Sequence, residues 1–215
     1  LTNGQKLEDK RENLALLSLG KDTRQGKILD IITGTRLNLS IKLARPIWGG
    51  DYDYTIYDFE REGYYPLSRK AIISVRTYAG HGEGPNLREF RLSDSPWVRG
   101  FYGSPKEFPY QGSNIFAANM ELRYFLFPEI NYHIWFFWPD IYIKSLQGVL
   151  FTDAGTAWNK REQWEEYRFK NSIGFGLRFN IFIMQTFPLT LSVDFVQRTD
   201  KREEPKIIFF LGPSF

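Results

Sequence analysis

Strict alternation of apolar and polar residues over long stretches is what most narrows the folds open to this chain. In "TRLNLSIKL", Leu37, Leu39, Ile41 and Leu43 alternate with Arg36, Asn38, Ser40 and Lys42. A β-strand sends successive side chains to opposite faces, so the pattern makes one face dry and the other wet. "SIGFGLRFNI" repeats it, with Ile173, Phe175, Leu177, Phe179 and Ile181 set against Ser172, Gly174, Gly176, Arg178 and Asn180. In "LTLSVDF", Leu189, Leu191, Val193 and Phe195 alternate with Thr190, Ser192 and Asp194. Between residues 114 and 127, Met120, Leu122, Tyr124 and Leu126 oppose Asn119, Glu121 and Arg123. Helical periodicity is nearly absent, so the chain reads as all-β.

Such segments predict nine strands, over residues 12–23, 33–45, 51–61, 67–80, 113–127, 143–158, 167–182, 187–198 and 205–215. Most run about ten residues or more, beyond the ~5–6 usual in globular sheets and near the ~9–11 that cross a bilayer. The fold expected is therefore an antiparallel transmembrane β-barrel portion. The connections agree. "GHGEGPNLREFRLSDSPWVRGFYGSPKEFPYQG", "NKREQWEEYR" and "TDKREEP" are polar and fall at one end, assigned to the cell exterior. "MQTF" and the aromatic "PEINYHIWFFWPDIY" fall at the other, assigned to the periplasm. Trp135, Phe136, Phe137 and Trp138 are expected at headgroup level, where amphipathic rings are favoured. A soluble β-sandwich or lipocalin-like barrel shares the alternation, with its apolar face turned inward. Strand length and loop asymmetry favour the membrane.

Composition removes other classes. Aromatics reach 17%, but a net charge of +3 without a basic stripe does not suit nucleic acid. Cysteine is absent, which excludes disulfides and thiol chemistry. No apolar run is long enough for a transmembrane helix. The chain begins with Leu and shows no signal peptide, so it is expected to be part of a longer protein. His81 and His133 are predicted on opposite sides of the membrane, leaving no histidine dyad or metal site. Glu165–Glu166 and Glu203–Glu204 read as solvated loop charges. Neither enzymatic chemistry nor a cofactor is expected.

One loop segment stands out. "SPWVRGF", residues 95–101, sets Arg99 between Val98 and Gly100, with Phe101 after it. If the polar faces line a lumen, acids for this arginine lie there: Glu121 in "NMELRYF" and Asp153 in "GVLFTDAGTAW", on the next two strands. A guanidinium grips a carboxylate through two parallel hydrogen bonds, which lysine cannot do. Gly100 permits a turn closed to other residues. From the residues alone two readings stand: Arg99 folded into the lumen against these acids, or Arg99 in water with the acids balancing lumen charge. As a glycosidase pair the two acids are unsuitable, because a neighbouring arginine favours the ionised form of both.

"VRGF" after a long loop, "MELRYFLFP", "GVLFTDAGTAW", "SIGFGLRF" and the terminal "IIFFLGPSF" occur in the order seen in the bacterial surface antigen family, the outer-membrane assembly barrels of the BamA type. "KDTRQGKILDIITGTRLNLSIKLA" also resembles that family's strand–turn–strand, and the resemblance spans essentially all 215 residues. It implies a loop motif of Val98, Arg99, Gly100 and Phe101, with Arg99 reaching into the lumen to Glu121 and Asp153. It further implies a C-terminal strand signal, matched by Phe209, Leu211, Gly212 and Phe215; Pro213 departs from the usual pattern. Family barrels have about sixteen strands, always an even number in closed single-chain bacterial barrels, so about nine correspond to the C-terminal part. Residues 1–215 are then that part, without a POTRA domain, and two sheet edges should remain open. The function implied is insertion or export of proteins at the bacterial outer membrane. Its partners would be outer-membrane lipid and unfolded outer-membrane protein clients. The alternative is an anchor or secretion channel for a fused periplasmic or secreted domain, a β-propeller or patatin-like lipase. A passive porin ranks below both, because the folded-in loop would plug it.

Overall fold

Where alternation is sustained, the backbone pairs into strands. The computed structural model describes residues 10–27, 29–92, 98–101, 110–136, 138–159, 169–199 and 204–212. Of the residues singled out above, Phe137, Glu165, Glu166, Glu203, Pro213 and Phe215 lie outside these ranges. The principal strands are β1 (Leu14–Asp22), β2 (Asp30–Ala44), β3 (Tyr54–Pro66), β4 (Ala71–Glu83), β5 (Asn114–Phe127), β6 (Ile141–Trp158), β7 (Lys170–Ile183), β8 (Phe187–Arg198) and β9 (Lys206–Gly212). They form one meander in which each strand pairs antiparallel with the next. The fold is thus all-β and antiparallel. Short strands at Gln25–Lys27 and Tyr132–Ile134 pair with β2 and β6.

The turn between β3 and β4 and the start of β6 differ from expectation. β3 runs on to Pro66 and β4 starts at Ala71, so the hairpin turn is residues 67–70 rather than 62–66. Tyr64 and Tyr65 suit a strand better than a turn, while Leu67 and Ser68 donate their N–H groups to Ala71 O at 2.9 and 3.1 Å. β6 starts at Ile141, and a register shift between Ile143 and Ser145 puts Lys144 in a bulge.

The register makes the two faces chemically opposite. One inner row reads Asn38, Glu60, Tyr78, Ala117, Gly155 and Lys170. The adjacent outer row reads Leu19, Leu39, Phe59, Ala79, Phe116 and Thr156. On the outer face Leu39, Met120 and Phe175 are 43%, 50% and 56% exposed, whereas the inward Asp153, Ser172 and Asn180 are at most 1% exposed. A soluble sandwich would show the reverse. Here polar side chains satisfy one another inside, and the apolar stripe faces out, as lipid requires. Inward, Lys42 reaches Asp58 at 3.0 Å and Arg76 reaches Glu60 at 3.0 Å.

The sheet curls rather than lying flat. Asp30, at the start of β2, accepts hydrogen bonds from Gln147 Nε2 (2.8 Å) and Ser145 Oγ (3.2 Å) on β6 and from Asn180 Nδ2 (2.7 Å) on β7. Lys144 Nζ stands 3.0 Å from the same carboxylate. The tip of the first hairpin is thereby tied across the concave side to strands four and five places along the sheet. Among the described residues no strand pairs with the outer edge of β1 or β9, so the sheet is not closed.

Candidate functional site

The long connection after β4 returns to the inner face at residues 98–101. Val98 and Phe101 are fully buried there with Leu92, Ile115, Ala117 and Ala157. Gly155 on β6 makes room for them, since a Cβ at that position would lie 2.7 Å from Val98 Cγ2 and 2.9 Å from Leu92 Cδ1. Gly100 has φ of 86°, a left-handed conformation that side chains oppose, and Arg198 Cγ would be 3.3 Å from any Cβ added to it. The Arg198 guanidinium lies 4.3 Å over the Phe101 ring. Apolar packing thus seats the loop on β5 and β6, and it delivers one charge with it.

That charge is Arg99. Its Nε and Nη2 donate to Asp153 Oδ2 and Oδ1, both at 2.7 Å, forming the parallel fork open to arginine alone. Its backbone N–H adds a third bond to Asp153 Oδ2 at 3.1 Å. Nη1 donates to Glu121 Oε1 at 2.8 Å, and the guanidinium carbon sits 3.5 Å over the Phe151 ring. The Asp153 side chain has no exposure and Arg99 only 14%. Asn119 Nδ2 (2.9 Å) and Ser172 Oγ (3.4 Å) complete the shell of Asp153. The structure therefore brings Arg99, Glu121 and Asp153 together.

It also recruits residues that inspection of the sequence did not single out. Asp194 on β8 lies 3.4 Å from Arg99 Nη1 and forms an ion pair with Arg178 of β7. Arg178 Nη2 is 3.4 Å from Glu121 Oε1, and Arg123 Nε donates to Glu121 Oε2 at 2.8 Å. Three guanidinium groups and three carboxylates so balance across β5, β6, β7, β8 and the loop. The available signal was their place on the polar faces: an ionisable group on an inward barrel face needs a partner.

The other sequence-predicted residues occupy the margins. Phe209 and Leu211 point outward from β9, 70% and 54% exposed, and Gly212 pairs with Thr190; Phe215 lies outside the described residues. Among the described residues β9 pairs with β8 over Lys206–Gly212. His81 lies in β4 at the long-loop end, and His133 at the opposite end beside Asp140. There Gln185 Nε2 donates to Asp140 Oδ2 at 3.0 Å and His133 Nε2 lies 2.6 Å from the same oxygen. These two contacts hold the Asp140 carboxyl below its ordinary range. They also tie the aromatic connector to the β7–β8 turn. Trp135, Phe136 and Trp138 on that connector are 75%, 66% and 85% exposed. Among the described residues no cluster of metal-ligating side chains occurs.

Comparison with known proteins agrees with this architecture. The family model for the Omp85 superfamily domain matches residues 10–215. The crystal structure of BamA from Haemophilus ducreyi lacking POTRA domains 1–3 superposes with a TM-score of 0.59 at 19% identity, covering 91% of this chain and 41% of that one. The chain thus spans less than half the length of that protein.

Proposed function

This chain belongs to the Omp85 superfamily of bacterial outer-membrane barrels, and on that premise we propose that it is the C-terminal part of a barrel that inserts or exports proteins at the outer membrane. The observation that carries the proposal is the contrast along the sheet. The wall from β5 to β8 is riveted from within by Arg99 and its partners, while β9 contributes no residue to that network and, among the described residues, has one edge without a partner strand. A client strand paired to that edge has its backbone groups satisfied before it meets lipid, where each bare group costs several kcal/mol. Strand addition uses main-chain hydrogen bonds and needs no covalent chemistry. The loop clamp keeps the adjoining wall from yielding as the seam opens.

The exposed aromatic connector between β5 and β6 favours a second reading, a membrane anchor or secretion channel for a fused domain. Two arms of one experiment separate these readings. In the full-length protein, cysteines replace Phe209 or Leu211, and client barrels carry cysteines in their own terminal strands. The first reading expects disulfide adducts between β9 and client strands, and many barrels lost from the outer membrane on depletion. Loss of one exported protein alone, with no adduct, selects the second.

A further inference from the structure

The outward face of the nine strands is apolar along almost all of its area, which makes its few charges informative. Among the described residues that face outward, the charged ones are Lys21, Arg61 and Glu83, and Glu83 ends β4 at the long-loop end. Lys21 and Arg61 share one row: Lys21 pairs with Leu37, and Leu37 with Arg61. Neighbouring strands lie ~4.8 Å apart, so their backbones stand about 10 Å from each other. Neither has a carboxylate within ion-pairing distance among the described residues. The Arg61 side chain has a direction, because Nη2 lies 3.4 Å from the Tyr65 hydroxyl, four residues nearer the 67–70 turn. Gly63 between them opens that path; a Cβ there would sit 2.7 Å from the same hydroxyl. The turn itself adds exposed Arg69 and Lys70.

On the long-loop side of this cationic row an apolar groove begins. It has a volume of about 650 Å³, and its lining includes Leu19, Leu39, Phe59 and Ala79 on the next outward row and Ile41 and Tyr57 beyond. Small Ala79 among larger neighbours makes it concave. A pair of cations in one row, with Arg61 leaning toward the 67–70 turn and an apolar channel running the other way, matches one kind of molecule.

We propose that Lys21, Arg61 and Tyr65, flanked by Arg69 and Lys70, bind the headgroup of an anionic phospholipid of the periplasmic leaflet, with an acyl chain in the groove. This rests on reading the sheet as a barrel wall whose turn end faces the periplasm. Lysine and arginine near a bilayer surface reach for the interface and attract anionic lipid there. The phosphodiester accepts from both cations and from the Tyr65 hydroxyl.

The test uses the full-length protein in vesicles of phosphatidylethanolamine and phosphatidylglycerol at three to one, extracted and weighed intact by native mass spectrometry with the lipid it retains. The expected result is a ratio of phosphatidylglycerol to phosphatidylethanolamine in the retained lipid on the order of tenfold above the bulk ratio. K21Q/R61Q should return retention to the bulk ratio, and A79F, which fills the groove, should release lipid of both kinds. K10Q/R11Q, an equal charge change at the long-loop end, should keep the enrichment. Absence of enrichment in the unaltered protein, which needs no variant to fold, overturns the proposal; so does enrichment that survives K21Q/R61Q. Failure of the unaltered protein to enter vesicles at all counts instead against the barrel reading.

Discussion

Arg99 is one residue on which two kinds of order depend. Its fork on Asp153 is buried, and removing one member of a buried pair leaves a charge without compensation, about 3–5 kcal/mol. Arg99→Ala is therefore expected to lower resistance to urea or heat, read as loss of the compact band on unheated gels, and to expose the loop to protease. Arg99→Lys should recover only part, because an ammonium cannot reproduce two parallel bonds while also serving Glu121. Arg99→Asp and Asp153→Arg should each be defective alone, and recovery when combined would show that the pairing itself matters. Gly155→Val tests the seat without touching a charge: a side chain there intrudes on Val98 and Leu92, so the loop should be released as fully as in Arg99→Ala. A Gly155→Val protein whose loop remains protected would mean that the charges alone hold it. The meeting of Arg99 with Glu121 and Asp153 could be read from the sequence, since alternation marks inward acids and the next two strands must be neighbours. Asp194 could not be read this way. It lies 95 residues from Arg99, and only the curl of the sheet brings β8 to the loop.

At the scale of elements, the strands were legible because most carry their own period of two, which needs no tertiary information, while the first, third and last alternate less cleanly. Irregular features were not. The turn at 67–70 was displaced because Glu60, Arg61, Glu62 and Gly63 interrupt the alternation before the two tyrosines resume the strand, and the bulge at Lys144 adds a residue that no pattern announces. Yet that bulge has a consequence, because it supplies Lys144 to Asp30 beside Ser145 and Gln147. Asp30→Ala deletes the acceptor these groups share with Asn180, and a buried group losing its partner costs roughly 1–3 kcal/mol, more for a charge. The variant should unfold at lower urea concentration, with hydrogen exchange rising first at residues 29–35 and 143–147. Uniform exchange across the sheet would instead make the first hairpin a passive part of the wall. The connector clasp has a pH signature. Gln185 and His133 depress the Asp140 pKa, so the clasp's stabilisation is present above the unfolded carboxyl pKa of ~3.9 and is lost as pH falls through the lower folded value. Exchange in residues 132–141 should therefore accelerate only in strong acid, and Asp140→Asn should abolish that step.

For the whole molecule, the decisive property is that it is built inside out. The inner face contains Glu62, Glu121, Asp153, Arg178 and Asp194, each at most 9% exposed, an arrangement too polar to drive collapse in water. The outer face offers leucines and phenylalanines that no described residue covers, Leu39, Leu150, Phe175 and Phe209 among them. Such a sheet gains its stability from lipid on one side and from paired charges on the other, and among the described residues its edges at β1 and β9 are open to further strands. Cysteines placed singly along β2 in the full-length protein test this directly. At Leu37, Leu39 and Leu43 they should resist a charged, membrane-impermeant maleimide and respond to a quencher carried on lipid acyl chains. At Arg36, Asn38 and Lys42 they should do the opposite, since these residues share the face of Ser40, which bonds to Asp58 at 3.3 Å. The two readouts must alternate residue by residue, because slipping the register by one exchanges the faces completely. Equal labelling of both sets would mean that water reaches both sides of β2, and a wall facing lipid could not then be the fold's working state.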